Sequence, residues 1–346
     1  MSFIRSEQGF TSSTSWCLVS ACLLIWGTGS VSAQNLEPDD DFNKGARTSL
    51  QFLKIGIGAR QAAMGEAGIA MIRDVNGVFW NPANISGIEK FETSFSYVRW
   101  LGDMNYVAGA MGYRLGTVGI FSGYLASLDY GDIPEALVTS GSGGSDTRTG
   151  NNFSGNDFMA GLTFAREFTD RLAIGVSGKY IHEGLFTFSA YTFAWDVGTN
   201  YDLGYKGIRL AMSAQNFGGA VEFLEEGSQA ESFDLPIVFR IGLSMNLLSP
   251  DGNGLGTLGS GHVLRMGVEA INTNDYNERF HVGGEYTFND FLAVRAGYRM
   301  NYAEGNLALG FGISPEISGM EVRVDYAYVG YEFLDAPHRF SLTLAY

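Results

Sequence analysis

Charge, proline and cysteine are scarce in this chain, and no apolar run is long enough to cross a bilayer as a helix. Of 346 residues only 17% are charged, 7 are proline and 2 are cysteine. So little charge fits the surface of a soluble protein of this length poorly. The charge that is present sums to −15, which excludes nucleic acid as a partner because phosphate binding needs a basic face. Both cysteines, Cys17 and Cys22, lie near the start of the chain, so everything after them is without disulfides and without a thiolate metal site. The four histidines (His182, His262, His281, His338) have no partner at metal-ligand spacing. Gly56-Ile57-Gly58 begins like a dinucleotide loop, but Gln61 stands where the third glycine belongs and no βαβ pattern surrounds it. No catalytic residue, metal or cofactor is expected, and the chain does not read as an enzyme.

The N-terminus reads as an address. Arg5 precedes the apolar run Trp16 to Trp26, and small residues then lead to Val31-Ser32-Ala33, a signal-peptidase-like site ahead of Gln34. The run is too short for a transmembrane helix. A rival reading takes Val19-Ser20-Ala21-Cys22 as a lipoprotein box, but the chain stays apolar after Cys22. The expected division is a signal peptide over 1–33, a polar lead and inner segment over 34–91, and a third region over 92–346.

That third region is rich in what the chain does have, which is glycine, phenylalanine and tyrosine (47, 25 and 17 residues). From about Phe91 onward, apolar and polar residues alternate for eight to eleven positions and then give way to turn residues. Strict alternation marks a strand with two unlike faces. Over Met320 to Tyr328, the residues Met320, Val322, Val324, Tyr326 and Tyr328 share one face, opposite Glu321, Arg323, Asp325 and Ala327. Leu292 to Met300 repeats the pattern with Arg295 and Arg299 on its polar face. Strands are expected near 92–100, 106–114, 117–127, 157–168, 172–182, 191–203, 207–216, 235–247, 263–271, 279–288, 291–300, 306–314, 320–328 and 338–346. That makes about 14, an even number as a bacterial barrel requires.

A soluble sheet with one wet face is the competing reading. Tyrosines expected at strand ends (Tyr113, Tyr180, Tyr286, Tyr298, Tyr328) argue against it, as they suit lipid headgroups. The terminus argues against it too. Phe340, Leu342, Leu344 and Tyr346 alternate to the last residue and resemble the signal read by the barrel-assembly machinery. The fold class expected is all-β, a transmembrane antiparallel β-barrel in contact with outer-membrane lipid. Links near 115–116, 169–170, 204–206, 289–290 and 315–319 should be short. Those at 128–156, 183–190, 217–234 and 329–337 should be long, and 248–262 is a long link on the short side.

The polar strand faces would aim Arg209, Arg240, Arg265, Glu269, Glu285, Arg295, Arg299, Glu321, Arg323 and Asp325 into the lumen. There they would form either an internal ladder of ion pairs or a polar translocation path. The loop from Val221 to Asp234 carries Glu222, Glu225, Glu226, Glu231 and Asp234, either merely solvated or able to hold cations or a partner.

One window is denser in motif than the rest. Gly56, Gly58, Arg60, Gly65 and Gly68 lead to Asp74 and then to Trp80-Asn81-Pro82-Ala83. This resembles the PorV/PorQ family of outer-membrane proteins and, more distantly, the FadL-type long-chain fatty acid transporters. The resemblance implies a 14-stranded barrel with a hatch carrying an Asn-Pro-Ala motif, in the outer membrane of a Gram-negative bacterium. In the hatch, the glycines would let backbone approach the wall, and Phe79 and Trp80 would wedge against it. The PorV/PorQ resemblance implies a shuttle in type IX protein secretion, with secretion components and cargo proteins as partners. The FadL side implies passage of a hydrophobic ligand sideways through the wall.

Overall fold

The computed structural model describes residues 48–138, 146–223 and 232–346. The expected signal peptide over 1–33 and the lead up to residue 47 lie outside them. So do Glu225, Glu226 and Glu231 of the acidic loop.

Fourteen antiparallel strands form one closed wall. In chain order they are β1 (Phe91–Arg99), β2 (Asn105–Leu115), β3 (Gly119–Asp129), β4 (Gly155–Glu167), β5 (Leu172–Leu185), β6 (Phe188–Asp202), β7 (Arg209–Gly218), β8 (Val238–Leu248), β9 (His262–Thr273), β10 (Tyr276–Phe288), β11 (Leu292–Met300), β12 (Leu307–Ile313), β13 (Met320–Val329) and β14 (His338–Ala345). Each pairs with the next, and β14 returns to β1 through pairs such as Phe95 with Leu342. A two-residue strand, Glu316–Ile317, pairs only with β13. Closure leaves no free sheet edge, a condition that any sheet crossing lipid must meet.

The two faces of the wall invert the usual order of a soluble protein. Along β11 the residues alternate between exposed and buried without a break. Leu292, Val294, Tyr298 and Met300 face out, while Arg295 and Arg299 are buried inside. Phe95, Leu162, Phe193, Ile241 and Phe311 continue the apolar outer surface round the wall. Such a surface is stable against acyl chains and unstable in water.

Connections differ at the two ends. At the end that carries the C-terminus, 116–118, 168–171, 203–208, 289–291 and 314–319 are short. The link 249–261 is long and lies at this same end, so the strand count does not slip there. At the opposite end, 130–154 contains a hairpin of Ile133–Val138 with Asp146–Phe153, and 219–237 contains the pair Val221–Glu222 with Ser232–Phe233. The expected long link over 183–190 is corrected. β5 and β6 run on as strands of 14 and 15 residues, leaving only Phe186 and Thr187 between them. Gly184, within the expected link, sits in the ladder opposite Ser189. The same extension places Tyr180 within β5 rather than at its end, where it packs on Tyr191 and Phe193.

Residues 48–90 run through the interior from one end of the wall to the other. Thr48 bridges to Asp234 at the loop end. At the C-terminal end, the Arg114 guanidinium donates to the carbonyls of Ser86 and Ile88. Between these points the segment is a chain of short turns: a 3₁₀ turn (Gln51–Lys54), helix α1 (Ala59–Ala63) and two further 3₁₀ turns (Val75–Phe79 and Pro82–Gly87). No turn is long enough to be stable alone. Side-chain caps help to fix them. Asp74 accepts from the Asn76 amide, and the Asn81 side chain accepts from the Ala83 amide.

Candidate functional site in the barrel interior

The segment meets two different inner walls. Towards β1–β6 the contact is apolar. Phe52, Ile57, Val75, Val78, Ile85 and Ile88 pack with Tyr106, Ile120, Tyr124, Leu128, Met159 and Ile181 in one buried cluster. Phe79 meets Tyr124 edge-on at 5.4 Å between ring centres. Asn81 donates to the Thr199 carbonyl at 3.0 Å. The backbone of Pro82 and Ala83 lies so close to β5 and β6 that a Cβ on Gly175 would stand 2.3 Å from the Pro82 carbonyl carbon.

Towards β8–β14 the contact is ionic. Arg60 binds Glu285 through two hydrogen bonds of 2.7 Å, and also reaches Asp74 at 3.3 Å. Glu285 accepts from Arg295 at 2.7 Å, and Arg295 in turn reaches Asp325 at 2.7 Å. Arg323 donates to Asp74 at 2.8 Å. Higher in the lumen, Arg240 pairs with Glu269 at 2.8 Å and Arg299 with Glu66 at 3.3 Å. Nearly all these groups are buried, so each must be paired or hydrated to be tolerated.

The residues singled out in the sequence fall as follows. Arg240, Glu269, Glu285, Arg295, Arg299 and Asp325 are buried inside the wall, and Arg323 joins their network. Arg265, more exposed, lies 3.6 Å from Glu285. Arg209 and Glu321 stand at the C-terminal rim, where Arg209 pairs with Asp202, and Glu321, beside Arg323, lines the mouth of the interior at that end. In the motif from Gly56 to Ala83, Gly65 is the glycine that approaches the wall. It takes a left-handed conformation (φ 61°) against the backbone of Gly297 and Tyr298. Gly56 instead makes room for Glu66 and Trp80, and Gly58 lies against Gln61. Trp80 donates to the Ile57 carbonyl at 2.8 Å, and the Arg240 guanidinium lies over its ring. At the terminus, Phe340, Leu342 and Tyr346 face out, and Lys90 covers the Tyr346 ring. Among the described residues no His, Cys, Asp or Glu group is arranged to hold a metal.

Missed in the sequence were the glycines of the wall itself. Gly175, Gly198, Gly283, Gly297 and Gly310 all touch the inner segment. Their signal was their position, on the inward face of alternating strands where a side chain would otherwise fill the lumen.

Two cavities flank the segment. One of about 370 Å³ opens towards the loop end, and aromatic rings (Phe52, Trp100, Tyr130, Tyr302, Tyr331) share its lining with Lys54, Arg240, Arg279, Arg299 and Glu66. Arg279 is held between the Tyr276 and Tyr302 rings, 4.2 and 4.1 Å from their centres. At its rim, burial pushes the Lys54 ammonium below its ordinary pKa. Burial alone would raise its partner Asp275, but hydrogen bonds from Lys54 and Thr48 hold that carboxyl below its usual range. The second cavity, about 230 Å³, lies at the C-terminal end between Arg60, Arg265, Glu285 and Arg323. The largest concavity, about 1060 Å³, is drawn mainly from outward residues such as Phe95, Leu162 and Trp195, and faces lipid rather than the lumen.

No protein-family model matches this chain, and no curated protein sequence matches it. Solved structures do. The toluene transporter TodX of Pseudomonas putida is 13% identical, covers 84% of this chain and 97% of its own, and superposes with a TM-score of 0.57. The monoaromatic hydrocarbon channel CymD is 10% identical, with 84% and 96% covered and a TM-score of 0.52. The chain shares the fold of these barrels. At these identities the likeness is one of fold, shared with barrels of the Gram-negative outer membrane.

Proposed function

We propose that this protein conducts small hydrophobic molecules across the outer membrane, with residues 48–90 acting as a hatch inside the barrel. In this reading the C-terminal end faces the periplasm, the loop end faces outward, and residues 1–33 direct export and are removed. The observation that carries it is the aromatic-lined cavity at the loop end, closed below by the inner segment. An apolar pocket with a few fixed polar groups is the usual form of a small-ligand site. The solved barrels of the same fold, described as a toluene transporter and a monoaromatic hydrocarbon channel, support this class of cargo.

Uptake of labelled toluene by cells that lack their own hydrocarbon porins, with and without this protein, tests the reading. Expression should raise the initial rate several-fold, and a Trp100→Ala variant should lose most of the gain. Equal rates with and without the protein would sink it.

The motif running from Gly56 to Ala83 favours a second reading, a PorV/PorQ-like shuttle in type IX secretion. It predicts that deletion of the gene strands secreted proteins bearing the conserved C-terminal sorting domain in the periplasm. An unchanged distribution of those proteins would remove it.

A further inference from the structure

We infer that the inner segment parts from the wall along β10–β13 while staying fixed to β5 and β6. This rests on the reading of residues 48–90 as a hatch. Three observations select the side. First, the two cavities border the same seam: Glu66 and Arg299 line the upper one, Arg60, Glu285 and Arg323 the lower. Between Arg60, which lines the lower cavity, and Glu66, which lines the upper, the Ala62–Gly65 backbone is pressed on inward glycines. A Cβ on Gly297 would meet the Met64 carbonyl carbon at 2.0 Å, and one on Gly283 the Met64 oxygen at 2.1 Å. Lifting those four residues joins the cavities into one path.

Second, the seam holds less apolar surface. Its buried apolar residues are Ala59, Ala62, Ala63 and Ala327 with Met64 as the one large side chain, whereas parting from β1–β6 would bring Ile57, Val75, Val78, Ile85 and Ile88 into water. Third, part of the wall's own charge network stays matched. Arg295 continues to bridge Glu285 and Asp325, so only Arg60, Glu66, Asp74 and their direct partners need water, and water reaches them from both cavities. On the fixed side, Asn200 donates to Asn84 at 2.9 Å, and the segment's backbone sits on Gly175 and Gly198.

Single-channel recording of the full chain in planar bilayers tests this, with resistance of the folded barrel to SDS at room temperature as the check on folding. An Arg60→Gln/Arg323→Gln variant removes the segment's pairs with Glu285 and with β13. It should raise open probability at least tenfold, while Asn84→Ala/Asn200→Ala stays within twofold of the parent chain. If the seam variant fails to fold, Glu66→Gln loosens the same seam by one pair and should give a smaller rise. Opening by the asparagine variant equal to or above that of the seam variant would overturn the inference and leave the hatch reading standing. Folded variants that all conduct like the parent would remove both.

Discussion

The first six strands and the last seven enclose the same interior but grip the inner segment by different physics. On β1–β6 the grip is apolar packing around Ile85 and Ile88, with backbone laid on glycine. On β8–β14 it is a chain of buried ion pairs running from Arg60 through Glu285 and Arg295 to Asp325. Apolar contact is non-directional and lost only by wetting. Buried ion pairs fix geometry, yet each depends on its partner being present. One interior therefore combines a face that resists water with a face that water can enter.

Removing single partners should separate the two grips. Glu285→Gln leaves Arg60 and Arg295 without their shared carboxylate, and should cost about 3–5 kcal/mol in equilibrium unfolding by urea in lipid vesicles. A loss below about 1 kcal/mol would mean that water already hydrates these charges, and the contrast between the walls would fail. Ile85→Ala, on the apolar side, should cost about 2–5 kcal/mol by the same measurement. Its cost should not change with salt. The inner and outer faces of one strand can be compared as well. Leu162 points outward from β4, and Leu162→Arg should cost about 2–4 kcal/mol if it meets the middle of the bilayer. The smallest effect is expected at Arg99 and Asp103, an ion pair exposed at the loop end. Arg99→Gln should leave the unfolding midpoint where it is, and a measurable drop there would show that exposed pairs count in this barrel.

Part of this contrast is legible in the sequence. In a meander, neighbouring strands in sequence are neighbours in space, so the inward charges read on the later strands, from Arg240 to Asp325, gather on one side of the wall. Period-two alternation assigned Arg295, Arg299 and Asp325 inward, and all three are buried there. The same alternation stopped too early around 183–190, expected as a long link, where β5 and β6 continue as strands. A face assignment says nothing of height along the barrel, and Arg209 and Glu321 lie at its rim.

The sequence by itself determined a wall with an oily outer and a polar inner face, because side chains alternate across a strand whatever surrounds it. Only the tertiary structure decided that Arg60 meets Glu285, 225 residues away. It also decided that the glycines receiving the segment belong to the wall. Contacts at such separations arise only once the sheet closes and the segment is threaded through it, and no local periodicity encodes either event.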